Sequence, residues 1–147
     1  MGEIRFVGEP RDNFLALLVL GRSHPDSIDY WDGNWLTASL TAHVGAFEGT
    51  VSGDIRAEEL VSFNRDLQTL FQKLTGEAVL KTMETWFAIH FECNRLGHIK
   101  ITGFVTDKHH GDGNTLEFVM SIDQTFLPEP MRQLEQVVDQ FPVIGHP

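Results

Sequence analysis

The sequence predicts an α+β fold dominated by antiparallel sheet. It is sandwich-like, with about seven to eight strands, one long helix in mid-chain and a second helix near the C-terminus. Three observations predict it. Apolar residues recur at every second position through most of the chain. The period lengthens to three and four in only two segments, and the strand-like segments succeed one another through short polar connections.

Phe14 to Leu20 is apolar at nearly every position, as in a strand buried on both faces and central in its sheet. Leu36, Ala38, Leu40, Ala42 and Val44 alternate with Thr37, Ser39, Thr41 and His43. Phe47, Gly49, Val51, Gly53 and Ile55 resume the alternation after Gly45 and Ala46, which predicts a hairpin. From near Ala57, residues Leu60, Phe63, Leu67, Leu70, Phe71 and Leu74 fall at helical spacing, and Gly76 reads as the stop. Glu58 and Glu59 at its start and Lys73 at its end suit the helix dipole, with Asp54 the nearest residue of capping chemistry.

The period of two then returns in three runs: Phe87, Ile89 and Phe91; Ile99, Ile101 and Val105; Leu116, Phe118, Met120 and Ile122. A three-residue loop Arg95-Leu96-Gly97 sets Phe91 opposite Ile101, Phe87 opposite Val105, Glu92 opposite Lys100 and His90 beside Thr102, so that faces and charges agree. Met131, Leu134, Val137, Val138 and Phe141 form the last helical stripe, opened by Pro128 and Pro130 and closed by Pro142. No repeat, low-complexity tract or linker divides the 147 residues, so a single domain over 1–147 is expected.

Composition narrows the function. Eleven Lys and Arg stand against 21 Asp and Glu, a net charge of −10, which opposes sequence-independent binding to nucleic acid and favours soluble behaviour or a basic partner. The longest apolar run has seven residues and is preceded by Glu3, Glu9 and Asp12, so neither a membrane span nor a secretory signal is expected. One cysteine, Cys93, fits a cytoplasmic location. The sequence does not set the oligomeric state.

Two stretches concentrate chemistry. Ser23 to Leu36 holds the single tyrosine, two of three tryptophans and the carboxylates Asp26, Asp29 and Asp32. A structural reading makes Asp32-Gly33 a turn, with the indoles packed against the sheet; Trp35 is expected in the core and Trp31 at a partner. A recognition reading makes Asp29, Tyr30, Trp31, Asp32, Asn34 and Trp35 an aromatic and acidic interaction surface. The enzymatic alternative is a small-ligand-binding or hydrolytic domain using Asp29, Tyr30 and Asp32. The carboxylates do not have the alternate spacing of a calcium loop, and no metal is expected there. The second stretch, Asp107 to Asn114, contains adjacent His109 and His110, which point opposite ways in extended chain and suit a hairpin loop better than a zinc site. No phosphate loop, dinucleotide turn or nucleophile elbow is present, so neither a catalytic residue nor a cofactor is expected.

The run Tyr30-Trp31-Asp32-Gly33-Asn34-Trp35-Leu36 resembles a motif of a family of small bacterial proteins that includes the immunity proteins of wall-associated (WapI-type) toxin systems. The order of the downstream elements is similar too: a strand pair, a helix with Glu58-Glu59-Leu60-Val61-Ser62-Phe63, and a meander ending in Ser121-Ile122-Asp123-Gln124-Thr125-Phe126-Leu127. The likeness spans about Gly21 to Phe141. It implies a non-enzymatic protein-binding module whose partner is a toxin, one that the charge of −10 would favour being basic.

Overall fold

The computed structural model describes residues 1–108 and 111–147. The chain runs β1 (Gly2–Val7), β2 (Phe14–Arg22), α1 (Tyr30–Gly33), β3 (Trp35–Val44), β4 (Phe47–Arg56), α2 (Ala57–Lys73), β5 (Gly76–Lys81), β6 (Phe87–Cys93), β7 (His98–Thr106), β8 (Thr115–Asp123) and, after a single 3-10 turn at Gln124–Phe126, α3 (Pro128–Gln140). Two antiparallel sheets of four strands result, in the orders β1-β2-β3-β4 and β5-β6-β7-β8. This is the expected α+β architecture. It also contains a duplication that the sequence hides, since four strands followed by a helix occur twice. The helices are exchanged, with α2 packed beside β5 and α3 beside β1.

The predicted register holds residue for residue. Phe91 opposes Ile101, Phe87 opposes Val105, Glu92 opposes Lys100 and His90 opposes Thr102. Gly97 takes the left-handed conformation at φ 80°. The β3–β4 hairpin closes through Val44 and Phe47 around Gly45, at φ 61°, as a two-residue turn requires. Residues 107–108 and 111–114 lie in the connection between β7 and β8, and His109 and His110 lie outside the described residues.

Four expectations are corrected. β2 is interior to its sheet, but only Leu15, Leu17 and Val19 on one side, with Ala16, are buried. Its other face runs beside Glu3, Arg5, Ser39 and Thr41, and Leu20, skipped by a bulge in the β2–β3 register, is exposed. The long helix is preceded by Arg56, not Asp54. The Arg56 backbone N–H donates to Glu59 Oε1 at 2.7 Å, and the Asp54 carboxylate instead accepts from Ser23 Oγ at 2.9 Å. That helix ends at Lys73, ahead of Gly76, with Leu74 as its left-handed C-cap at φ 51°. Trp35 lies half-buried with its neighbour Leu36, not Trp35 itself, turned into the core. The core tryptophan is Trp86. Its ring lies so close to β4 that a Cβ on Gly53 would come within 2.5 Å of it, and its Nε1 donates to the Asp54 carbonyl at 2.9 Å.

Both sheets and both long helices share one apolar cluster. At its centre Phe6 of β1, Phe63 of α2 and Phe91 of β6 form a ring triplet, with centroids 5.0 to 6.4 Å apart. The rings meet tilted or edge-on, the arrangement that aromatic quadrupoles favour. Phe63 therefore ties two sheets that share no strand pair. Phe63→Ala is expected to cost about 3 to 5 kcal/mol through lost burial and an unfilled cavity, read as a lower urea midpoint; a loss under about 1 kcal/mol would contradict this role.

Candidate functional site

The segment from Asp29 to Leu36 is organised by a buried cation outside it. Arg56 ends β4 and is 1% exposed. A guanidinium withdrawn from water needs its donors satisfied. Arg56 Nη2 donates to the Tyr30 carbonyl at 2.9 Å, Nη1 to the Trp31 carbonyl, and Nε to Glu58 Oε2 at 3.0 Å. The same oxygen of Glu58 accepts from the Tyr30 hydroxyl at 2.8 Å, while Glu58 Oε1 is buried without a partner among the described residues. The aromatic rings complete the shell. The guanidinium carbon lies 4.8 Å from the centroid of Trp35, its cross-strand neighbour, and 5.3 and 5.7 Å from those of Tyr30 and Trp31.

Asn34 forms a second anchor. It is fully buried, and its Nδ2 donates to the carbonyls of Tyr30 and Ile144, each at 2.9 Å, while its Oδ1 accepts from the Ile144 backbone N–H at 2.9 Å. Its own carbonyl accepts from the Ala57 N–H, tying α1 to the first turn of α2. Arg22 adds bonds to the carbonyls of Gly33, at 2.7 Å, and Pro142, at 2.6 Å. The C-terminal tail is thus strapped against α1. A side chain on Gly33 would strike Ile144, and one on Gly145, at φ 69°, would meet the Tyr30 backbone.

Asp29, not Asp32, caps the one-turn helix, its carboxylate accepting from the Asp32 N–H at 3.1 Å. The Asp-Gly turn expected at Asp32-Gly33 is the end of that turn of helix. The six residues singled out from the sequence therefore separate. Tyr30, Asn34 and Trp35 face inward on the Arg56 and tail contacts, whereas Asp29, Trp31 and Asp32 are exposed, Trp31 at 58%. Ile28, at 87%, and Asp26 extend the exposed set. The Trp31 ring meets Tyr30 edge-on at 5.0 Å, so its base is fixed while its outer face is open.

Nearby chemistry is committed elsewhere. Glu59 takes backbone N–H groups from Arg56 and Met83, each at 2.7 Å, and burial pushes its carboxyl above the ordinary range. Burial likewise raises the Cys93 thiol. A groove of about 800 Å³ opens beside Glu92, His98, Lys100, Ser121 and Phe126, away from the motif. Among the described residues, no three His, Cys, Asp or Glu side chains are grouped to hold a metal. No helix is long and apolar enough to cross a membrane. Arg56, Arg22 and Trp86 escaped the reading of the sequence, and Glu58, placed there as a first-turn acid of the helix, was not expected to bind Arg56 and Tyr30. The one available signal was an arginine in phase with the wet face of β4 directly ahead of a helical stripe.

Two measurements probe the assembly. Arg56→Ala is expected to destabilise the fold by about 3 to 5 kcal/mol, because it strands Glu58 and two carbonyls, and Arg56→Lys should also destabilise it, since an ammonium cannot span the same three acceptors; chemical denaturation reads both. The hydrogen bond to Glu58, followed by burial, raises the Tyr30 phenol above its ordinary value of about 10, against the opposing effect of Arg56. This contribution to stability is complete below the unfolded value and is lost as pH rises through the folded one. Tyr30 is the single tyrosine. Phenolate absorption should therefore show ionisation above that of free tyrosine in the native chain and a lower value in Glu58→Gln; an unchanged value would refute the bond.

No curated protein matches the chain. Among solved structures, the MRP1/MRP2 crystal structure from Trypanosoma brucei aligns over 94% of this chain and 80% of that one, at 13% identity and a TM-score of 0.45. The sequence model of the Immunity protein WapI-like family matches residues 5–142, from within β1 to just past α3, and so takes in both sheets and the whole Tyr30 to Leu36 run. The chain belongs to the Immunity protein WapI-like family.

Proposed function

We propose that this protein is a non-enzymatic immunity protein that neutralises a bacterial toxin by direct contact in the cytoplasm, with Asp29, Trp31 and Asp32 as the contacting residues. Family membership supports the class of function. The observation that carries the choice of surface is the exposed face of Trp31 on a backbone immobilised by Arg56. A large aromatic ring already held in place loses little conformational freedom on binding, which is the property of an interface anchor. The carboxylates on either side, on a chain of net charge −10, favour a basic toxin domain and fast, salt-sensitive encounter. Tyr30, Asn34 and Trp35 act behind this surface, holding it in shape.

The test uses the partner captured from the native host. Asp29→Asn with Asp32→Asn should slow association several-fold at low salt, with the difference shrinking as salt rises, while folding is nearly unchanged because asparagine also caps a helix. Trp31→Ala should lose about 2 kcal/mol or more of binding and under about 1 kcal/mol of stability. If Trp31→Ala binds the toxin as the parent does, this surface is not the interface.

A further inference from the structure

We propose that the open edge of β4 is a second recognition site, which takes up an extended, cationic segment of a partner protein as an added antiparallel strand. The hydrogen-bond pattern defines the edge. The Trp35 carbonyl accepts from Ser23 of the β2 side, the Arg56 N–H is taken by Glu59 and the Asp54 carbonyl by Trp86, so the Trp35–Arg56 and Thr37–Asp54 pairs exchange no bonds across the ladder. Antiparallel pairs alternate between bonded and unbonded, and β3 and β4 pair without a bulge. Glu48, Thr50 and Ser52 therefore turn their N–H and C=O groups away from β3. Among the described residues no backbone partner meets them. All three residues are exposed.

This edge differs from the other outer strands. α3 packs beside β1, α2 beside β5, and the segment before β2 reaches β8 through the Glu9 N–H and the Ser121 carbonyl. β4 has ten residues and none of the lysines, prolines or bulges that blunt free edges. The Trp86 indole closes the Asp54 end, which leaves room for a short strand along Glu48 to Ser52. Charge selects the occupant. Glu48 and Asp54 stand at the two ends of the outward-facing row, and the one cation of the strand, Arg56, is buried. A second copy pairing through Thr50 would bring two chains of charge −10 together with these carboxylates along the seam, whereas lysines or arginines on the incoming strand would meet them as opposite charges. The site does not depend on the partner being a toxin.

The experiment is an amide NMR titration of the full chain with a short peptide alternating lysine and valine, against a control of equal length and charge alternating lysine and glycine. The Glu48, Thr50 and Ser52 amides should shift together and become slow to exchange with the first peptide, and the control should bind more weakly. Ser52→Pro removes an outward N–H that the β3–β4 ladder does not use and should weaken binding by at least about tenfold, with the rest of the spectrum preserved. Glu48→Lys, at an exposed position, should also weaken it and provides the test should the proline variant not fold. Shifts spread over acidic residues at large, shifts confined to Asp29–Asp32, binding retained in the variants, or a dimer of the free chain that Ser52→Pro dissolves would each overturn the proposal. The last two leave the toxin-contact reading intact.

Discussion

The buried guanidinium of Arg56 sets the geometry where α1, the end of β4 and the start of α2 meet. A charge taken out of water is tolerated only where its donors find acceptors, and here the acceptors are two backbone carbonyls of α1 and the carboxylate of Glu58. Meeting that demand brings three sequence-distant pieces to one point: the turn before β3, the end of β4 and the first turn of α2. The aromatic rings of Tyr30, Trp31 and Trp35 then shut out water around the cation. Asn34 extends the knot to the C-terminal tail through Ile144.

The consequence is a division of labour within seven consecutive residues. Some side chains of the motif face the scaffold and others face solvent, because a one-turn helix presents its residues in different directions. What is displayed, an indole between carboxylates, is held by what is hidden. As the proposed contact surface, it would meet a partner with little rearrangement, its charge acting on the rate of encounter more than on the lifetime of the complex.

The duplicated topology explains which sheet edges are covered. Each half ends in a helix, and the helices are exchanged so that each lies beside the first strand of the other half. That exchange sets Phe63 against Phe6 and Phe91, which themselves meet directly, and so helps to join two sheets without a shared strand. It also leaves β4, the last strand of the first half, without a helical cover.

The sequence by itself determined the periodic elements. Alternation in β3, β4, β6, β7 and β8 and the stripe of α2 are local properties of side chains, and the register of β6 on β7 follows from Gly97 and from the pairing of Glu92 with Lys100. β1 and β5 were missed because each offers only two buried apolar residues, Ile4 and Phe6 or Ala78 and Leu80, too few to establish a period. Only the tertiary structure decided the rest. Trp35 and Trp86 are the same residue type, yet one stacks on a cation and the other fills the core, because Gly53 leaves a space beside the second and Arg56 stands beside the first. Four strands followed by a helix recur where the sequence shows no repeat, so the recurrence is one of topology. The turn expected at Asp32-Gly33 became a one-turn helix capped by Asp29, and the cation at the centre of the motif came from beyond it, because hydrogen bonds between distant residues leave no periodic trace in a sequence.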